Sequence, residues 1–328
     1  MADRTAGQTR RICLERVETL YSDGRWNGRP TFVHWRDTWY IAFRSAQSHE
    51  GHGKVMMLTS KDLESWKVST VIDDPDIDGA EPMLLAIDDR LFLYIVAEEP
   101  ATTSFMTCSE DGVDWPKPVP FYEPGFSVNT PVSHKGVHYM AIDKGHVELI
   151  RSSDGFEWSR ISKIVDGATE TALVFLKDDT LIAVTRQAKF ARASPPYTDW
   201  EIVEHDPVAL GLGGPDAALV GDTVLVAGRL FAQTVLLKLH PDTLDLDKLM
   251  DMPVHHVEGC VCGSISETLA DTEIASAEPH VWPHGDKAYP EFLVLDDRQV
   301  LMAYYDGQAF EPGVPKRADI RLARFTVD

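Results

Sequence analysis

The chain has 328 residues, of which 44% are hydrophobic, and a formal net charge of −21. This hydrophobic fraction is sufficient for a sizeable core and excludes an intrinsically disordered chain. The strong negative charge excludes nucleic acid and anionic membrane surfaces as partners, because both would be repelled.

The N-terminal stretch begins with the polar residues "MADRTAGQTR", and no long apolar segment follows it. We therefore expect neither a secretory signal peptide nor a transmembrane helix. Four cysteines in a chain of this length do not indicate a disulfide framework. The expected location is the reducing cytoplasm.

A short motif recurs along the chain: a serine, an aspartate two places on and a tryptophan four places further. Intact copies are "SKDLESW" (60–66), "SEDGVDW" (109–115) and "SSDGFEW" (152–158), and degenerate copies are "SPPYTDW" (194–200) and "HPDTLDL" (240–246). Their spacing of roughly 40–50 residues is typical of one four-stranded propeller blade. The serine and aspartate can accept turn N–H groups, and the tryptophan can fill the wedge between blades. The motif is therefore predicted to be structural.

Between these motifs lie six hairpin patterns, each with two apolar runs joined by a tight turn such as Asp88–Asp89, Asp178–Asp179 or Gly221–Asp222. Short continuous apolar runs are typical of strands buried on both faces. The copies are "GRPTFVHWRDTWYIAFR", "AEPMLLAIDDRLFLYIVAE", "NTPVSHKGVHYMAID", "TETALVFLKDDTLIAVTR", "GPDAALVGDTVLVAGR" and "AYPEFLVLDDRQVLMAYYD".

These patterns predict an all-β chain in which residues 1–328 form one six-bladed β-propeller domain. The last hairpin is followed by only one further strand, "ADIRLARFTV", whereas "RRICLERVETLY" precedes the first hairpin. We expect this N-terminal strand to complete the last blade and leave no free edge. Residues 251–285 are interpreted as a loop insertion over one face.

The three intact motifs resemble Asp-box, or bacterial neuraminidase, repeats. Over nearly its full length the chain resembles six-bladed sialidase-like propellers, and most closely uncharacterised bacterial sialidase-like proteins. The stretches on which this resemblance rests are "WYIAFRSAQSHEGHG", "SPPYTDW", "LGGPDAALVGDTVLVAGR" and "GDKAYPEFLV".

The resemblance implies a sugar-binding site around the central axis. "TETALVFLKDDTLIAVTRQ" is similar to the sialidase stretch in which a glutamate opens the inner strand and an arginine closes the next, here Glu170 and Arg186. "DKAYPEFLVLDD" is similar to the stretch with the nucleophilic tyrosine, here Tyr289. Sialidases use tyrosine because the substrate carboxylate would repel an anionic nucleophile. A tyrosine needs an adjacent base, and Glu170 would supply it.

The chain departs from the sialidase pattern at three points. Arg29 stands immediately before Pro30, which shifts the usual Arg-x-Pro opening by one residue. The general-acid aspartate expected after "AFR" is missing, and the loop offers His49, Glu50 or His52 instead. The third substrate arginine has no clear counterpart, and the substitutes by position are Arg229 and Arg192.

The hairpin pattern alone also places charged residues at equivalent points. Arginines at strand ends could bind a carboxylate by bidentate pairing, or could pair with neighbouring acids and hold the blades together. Acidic residues that open inner strands could act as acid and base, or could balance the arginines. The arginines are Arg29, Arg44, Arg186 and Arg229, and the acids are Glu81, Glu170 and Asp216.

The leading functional prediction is a glycoside hydrolase that acts on an anionic or polyhydroxylated small glycoside in the central cavity. Tyr289 is its predicted nucleophile, Glu170 the base, and the loop with His49 and Glu50 the proton donor. One alternative is a non-catalytic propeller that binds a glycan or a protein.

Another alternative is a metal-dependent lyase or hydrolase that uses the loop histidines His49 and His52. "HHVEGCVC" suggests zinc, but Cys-x-Cys lacks the Cys-x-x-Cys geometry of structural sites. The leading prediction includes no metal and no cofactor. Its partner is a small-molecule or oligosaccharide substrate, and the oligomeric state is left open.

Overall fold

The computed structural model describes residues 12–49, 51–97, 101–231, 233–253, 257–263, 287–307 and 317–327, with the backbone alone in 257–263. Within these ranges the chain is almost entirely β-structure, with one four-residue helix. No described helix has the length and apolar character needed to cross a membrane.

In chain order the elements are β1 (Ile12–Tyr21), β2 (Trp26–Trp35), β3 (Thr38–Ala46), β4 (Gly53–Ser60), β5 (Lys67–Ile72), β6 (Glu81–Ile87), β7 (Arg90–Ala97), β8 (Thr103–Ser109), β9 (Val119–Phe121), β10 (Ser127–Val128), β11 (Val132–His134), β12 (Val137–Asp143), β13 (His146–Ser152), β14 (Ser159–Asp166), β15 (Thr171–Phe175), β16 (Leu181–Thr185), β17 (Lys189–Ala193), β18 (Glu201–Glu204), α1 (Pro207–Leu210), β19 (Gly213–Val220), β20 (Thr223–Leu230), β21 (Gln233–His240), β22 (Asp245–Asp251), β23 (Val257–Gly263), β24 (Lys287–Val294), β25 (Gln299–Gly307) and β26 (Ala318–Val327).

Strands that follow one another in the chain pair antiparallel and form the sheets. Three sheets have four strands each, β6–β9, β15–β18 and β19–β22. A fourth sheet contains β10–β14, in which β10 and β11 both pair with β12. The remaining nine strands form one sheet, in which the group β24–β25–β26–β1–β23 meets β2–β3–β4–β5 through a single parallel bridge between Trp26 and Ala318. Each predicted hairpin therefore corresponds to one antiparallel strand pair. These pairs are β2–β3, β6–β7, β11–β12, β15–β16, β19–β20 and β24–β25.

The N-terminal strand β1 lies beside the C-terminal strand β26, as expected. The pairing is antiparallel and runs from Ile12 opposite Val327 to Tyr21 opposite Ile320. The outer edge of β1 pairs with β23, which lies inside the segment interpreted as a loop insertion. The interpretation as a loop missed this strand. A short apolar run that follows a long gap does not indicate which sheet edge it pairs with. The rest of residues 254–286 lies outside the described residues.

The core consists of apolar side chains packed between neighbouring sheets. One cluster combines Val174 and Ile182 from β15 and β16 with Val226 and Leu237 from β20 and β21. Their side chains are almost fully buried. Burial on both faces is the reason that these strands are continuously apolar in the sequence.

The Ser–Asp–Trp turns at 60–66, 109–115 and 152–158 have the predicted geometry. In the third turn, Ser152 Oγ accepts from the backbone N–H of Gly155 at 2.9 Å, and Asp154 Oδ1 accepts from the N–H of Phe156 at 2.9 Å. The N–H groups of Glu157 and Phe156, which both donate to this oxygen, lower the pKa of Asp154 below its ordinary value. Trp158 packs edge-on against Tyr94 of a neighbouring sheet, with 5.9 Å between ring centroids. The turns therefore join adjacent sheets.

Cys13 in β1 is disulfide-bonded, whereas Cys108 is a free thiol. The cysteine count in the sequence did not indicate this bond.

Candidate active site

The first strands of several sheets open around a narrow cavity of about 50 Å³. Its walls come from the residues that begin these strands, which include Arg29, Glu81, Glu170, Gly214 and Tyr289. A volume of this size holds a few water molecules. The cavity thus collects side chains from β2, β6, β24 and the segments just before β15 and within β19.

The hydroxyl group of Tyr289 donates a hydrogen bond to Glu170 Oε1 at 2.8 Å. The same oxygen accepts from Arg186 Nη1 at 2.5 Å, and Glu170 Oε2 accepts from the backbone N–H of Gly214 at 2.7 Å. The glutamate carboxylate is thereby fixed by three donors. It is placed to take a proton from the tyrosine hydroxyl group.

Burial and the neighbouring Glu170 carboxylate raise the pKa of Tyr289 well above its ordinary value. The tyrosine hydroxyl therefore keeps its proton at neutral pH. Nucleophilic attack by this oxygen requires the proton to move to Glu170 in the same step.

Three residues of the site have an unusual backbone conformation. Arg29, Glu170 and Tyr289 have φ angles of +55°, +44° and +42°, in the left-handed region that residues other than glycine seldom adopt. The pairing register shifts between Gly28 and Thr31 and between Ala288 and Glu291, next to Arg29 and Tyr289. A proline follows each of these two residues and cannot donate to the strand ladder. The resulting bulges therefore lie at two of the candidate site residues, Arg29 and Tyr289.

Arg29 and Glu81, both predicted as substrate-binding residues, line the cavity together. Arg29 Nη1 lies 2.7 Å from Glu81 Oε1, and the side chains are 10% and 15% exposed. The Arg29 guanidinium also stacks over the Tyr289 ring, 5.0 Å from its centroid. The arginine therefore faces both an acid and the predicted nucleophile.

Arg186 and Arg229 approach the Tyr289–Glu170 pair from different sides. The Arg186 side chain is bound to Glu170 and is 42% exposed, which makes it accessible to a ligand. Arg229 is buried, and its Nη1 donates to the backbone carbonyl of Lys287 at 3.2 Å. Arg192, the other substitute by position, forms two hydrogen bonds with Glu201 on β18.

Arg44 is buried and directed to a loop rather than to the cavity. Its guanidinium donates to the carbonyl of His49 at 2.9 Å and to that of Gly51, and Nη2 lies 3.5 Å from Asp78 Oδ1. These contacts fix the loop after β3. The structure thus does not bring Arg44 together with the other predicted substrate-binding arginines.

The loop histidines, His49 and His52, contact different residues from each other. The His49 ring packs edge-on against Trp26, with 5.1 Å between centroids, and His52 Nε2 lies 3.6 Å from Asp73 Oδ1. Among the side chains that the structure describes, no three His, Cys, Asp or Glu groups are arranged to hold a metal ion. Glu50 and the histidines of "HHVEGCVC" lie outside the described residues, as do the side chains of its cysteines.

Asp216 lies in a buried carboxyl pair rather than in the wall of the cavity. Burial raises its pKa to about 7, and its Oδ2 accepts from the N–H of Phe292 at 2.6 Å. Its partner is Glu291, whose pKa is raised well above its ordinary value by burial and by Asp216. Glu291 lines the cavity and accepts from Thr130 Oγ1 at 3.0 Å.

The sequence interpretation missed Glu291, and it identified a second acid, Asp143, only as a charged residue at the end of a second strand, without a role in the site. Asp143 Oδ2 accepts from the backbone N–H of Glu170 at 3.3 Å, and burial raises the pKa of Asp143 to about 6. The signal for Glu291 was present, because "GRPT", "GGPD" and "AYPE" align and place Thr31, Asp216 and Glu291 at equivalent positions.

No protein-family model and no curated protein sequence matches the chain. Among solved structures, a protein of unknown function from Dyadobacter fermentans superposes with a TM-score of 0.68 at 17% identity, covering 97% of this chain and 99% of that one. A leech intramolecular trans-sialidase, solved with 2,7-anhydro-Neu5Ac, superposes with a TM-score of 0.61 at 9% identity, over 92% of this chain and 68% of that one.

A GH32 β-fructofuranosidase from Bombyx mori superposes with a TM-score of 0.51 at 13% identity. The match covers 95% of this chain, which spans 61% of the length of that enzyme. At these identities the similarity concerns the fold alone. The chain therefore has a β-propeller fold like that of these solved structures.

Proposed function

We propose that the protein is a glycosidase with a six-bladed, sialidase-like propeller, in which Tyr289 is the nucleophile and Glu170 its base. The observation that supports this proposal most directly is the 2.8 Å hydrogen bond from Tyr289 to Glu170 Oε1 inside the axial cavity. The sheet groups around that cavity supply the six blades. The nine-stranded sheet supplies two of them, since one parallel bridge joins its halves.

In the proposed reaction, the Tyr289 oxygen bonds to the anomeric carbon while its proton moves to Glu170 Oε1. The glycosidic bond breaks, and the leaving group takes a proton from the loop that contains His49 and Glu50. Water then attacks the glycosyl–tyrosine intermediate and gives its proton to the loop group that protonated the leaving group, while Glu170 returns its own proton to the departing Tyr289 oxygen.

We propose an anionic glycoside as the substrate because arginines surround the reacting pair. Arg186 is the accessible one, with 42% of its side chain exposed, and Arg29 lies over the Tyr289 ring. A cavity of about 50 Å³ is far smaller than an ordinary ligand pocket. The sugar ring therefore lies at the mouth of the cavity, and only its reacting end faces Tyr289.

The alternative of a non-catalytic glycan-binding propeller is favoured by one observation. Arg29 and Arg186 are already paired with Glu81 and Glu170 at 2.7 and 2.5 Å. A ligand carboxylate would have to compete with Glu81 and Glu170 for the two arginines. The paired arginines therefore favour weak binding of a neutral or hydroxylated ligand.

Tyr289→Phe, which removes only the oxygen, tests the proposal on a panel of 4-methylumbelliferyl glycosides that includes sialosides. We expect kcat to fall at least about a hundredfold with little change in KM, because a nucleophile acts on chemistry more than on binding. Tyr21→Phe is the control, since Tyr21 lies on β1 and bonds to Asp23 at 3.3 Å. Turnover by Tyr289→Phe within a few-fold of wild type would refute the mechanism. If wild type binds a glycoside and releases it unchanged, the binding alternative is correct.

A further inference from the structure

One backbone position contacts both members of the proposed catalytic pair. Gly214 lies in the turn "GGPD" that opens β19, with φ +54° and a register shift between Gly213 and Asp216. The turn comes from a different sheet from both Glu170 and Tyr289. The turn therefore holds Glu170 and Tyr289 in position from a third sheet.

The first contact is a hydrogen bond from the Gly214 N–H to Glu170 Oε2 at 2.7 Å. This bond occupies one carboxylate oxygen and leaves Oε1 to the Tyr289 hydroxyl. Arg186 holds Oε1 from another side. The orientation of the carboxylate is thus determined by one donor on Oε2 and two on Oε1.

The second contact is with the Tyr289 ring. A Cβ added at Gly214 would lie 2.5 Å from Tyr289 Cγ and 2.7 Å from both Cδ atoms. Real Cβ atoms do not approach other atoms this closely, and the half-buried ring also packs against Arg29 and Tyr305, so any side chain at 214 would have to displace the ring. The Tyr289 ring thus packs directly against the α-carbon of Gly214, which carries no side chain.

We propose that Gly214 is a positioning residue that sets the alignment of Tyr289 with Glu170 through these two contacts. The inference rests on the proposed function, since it concerns the same catalytic pair. Small displacements of a reacting group lower rates strongly, by roughly 100-fold for 1 Å. A methyl group at position 214 therefore acts on catalysis without touching the substrate.

A merely structural explanation is that a left-handed backbone needs glycine at this position. Gly136 provides the matched control, because its φ is +77° and a Cβ there would meet nothing within 4 Å. Gly136→Ala reproduces the backbone strain without any contact. The difference between Gly214→Ala and Gly136→Ala isolates the contacts with the pair.

The first test is the ¹⁹F NMR spectrum of protein labelled with 3-fluorotyrosine. The resonance missing from Tyr289→Phe identifies Tyr289. We expect that resonance to move in Gly214→Ala and to keep its wild-type position in Gly136→Ala. An unmoved Tyr289 resonance in folded Gly214→Ala would overturn the inference. This spectrum needs no turnover, so it remains decisive if the proposed function fails.

The second test uses kinetics on whichever 4-methylumbelliferyl glycoside the wild type hydrolyses. We expect kcat to fall at least about tenfold in Gly214→Ala with KM nearly unchanged, and both constants to stay at wild-type values in Gly136→Ala. Equal kcat in Gly214→Ala and wild type would contradict a positioning role.

A third measurement covers the case in which Gly214→Ala folds poorly. Gly214→Ala is then compared in the wild-type and Tyr289→Ala backgrounds by thermal unfolding. If the ring contact is responsible, removal of the ring reduces the loss in Tm to the loss caused by Gly136→Ala. A loss of equal size in both backgrounds would show that Tyr289 is not the group displaced.

Discussion

The buried pair of Asp216 and Glu291 makes the stability of the protein depend on pH in a direction opposite to that of most carboxylates. Burial raises the pKa of Asp216 to about 7 in the folded state, whereas the ordinary value is 3.8. The folded protein therefore binds this proton more tightly than the unfolded chain does. For such a group, stability is fully present below the unfolded pKa and is lost as pH rises towards the folded pKa.

The magnitude follows from the two pKa values of Asp216. Its contribution to the destabilisation is on the order of 2 kcal/mol at pH 5 and on the order of 4 kcal/mol at pH 8. Asp216→Asn removes the charge and keeps an oxygen that can accept from the Phe292 N–H. We therefore expect the variant to gain free energy of unfolding over wild type, and to gain more at pH 8 than at pH 5 by an amount on the order of 2–3 kcal/mol.

The assay is urea unfolding followed by tryptophan fluorescence and by circular dichroism, at both pH values. Asp297→Asn is the control, because Asp297 is exposed and its removal changes the net charge equally. A gain that is the same at pH 5 and pH 8, or that equals the effect of Asp297→Asn, would refute the argument that the buried pair holds a proton.

Two further predictions concern the turns and the loop after β3. Ser152→Ala should lower the free energy of unfolding by about 1–3 kcal/mol, because the N–H groups of Asp154 and Gly155 lose the oxygen that accepts from them. Chemical unfolding measures this loss, and the control Ser153→Ala, at the exposed neighbouring position, should not show it. The idea fails if the two variants are equally stable. Arg44→Met should expose the loop at 47–52 to limited proteolysis, since the loop carbonyls lose their donor. Exposed Arg151→Met is its control, and cleavage of the Arg44 variant at the wild-type rate would contradict this assignment.

The strand pattern and the turns could be predicted from the sequence because they depend on local chemistry. The turns at Asp88–Asp89 and Gly221–Asp222 join β6 to β7 and β19 to β20 as expected. Glu170 and Tyr289, 119 residues apart, could be brought together only through the resemblance to sialidases. The contact itself depends on how distant strands meet around the axis.

Other features of the site depend on backbone paths that a sequence pattern does not reveal. Arg44 ends its strand as Arg186 does, but the following loop folds back and its carbonyls take the Arg44 guanidinium. Asp216 and Glu291 are the first paired residues after the register shifts that contain Gly214 and Tyr289, and both are buried. The sequence therefore indicated which residue types surround the axis, whereas their individual partners required the structure.

The pairing of β1 with β26 has a consequence for synthesis on the ribosome. The partner of β1 is β26, from Ala318 to Val327, which is made only after all the strands that lie between the two in the chain. Until those residues leave the exit tunnel, β1 exposes an unpaired edge and the apolar side chains of Leu14 and Val17. The intervening sheets can form in order as they emerge, but the sheet that contains both β1 and β26 can be completed only after β26 has emerged. The nascent chain is thus exposed to aggregation and to chaperones at β1 until that point.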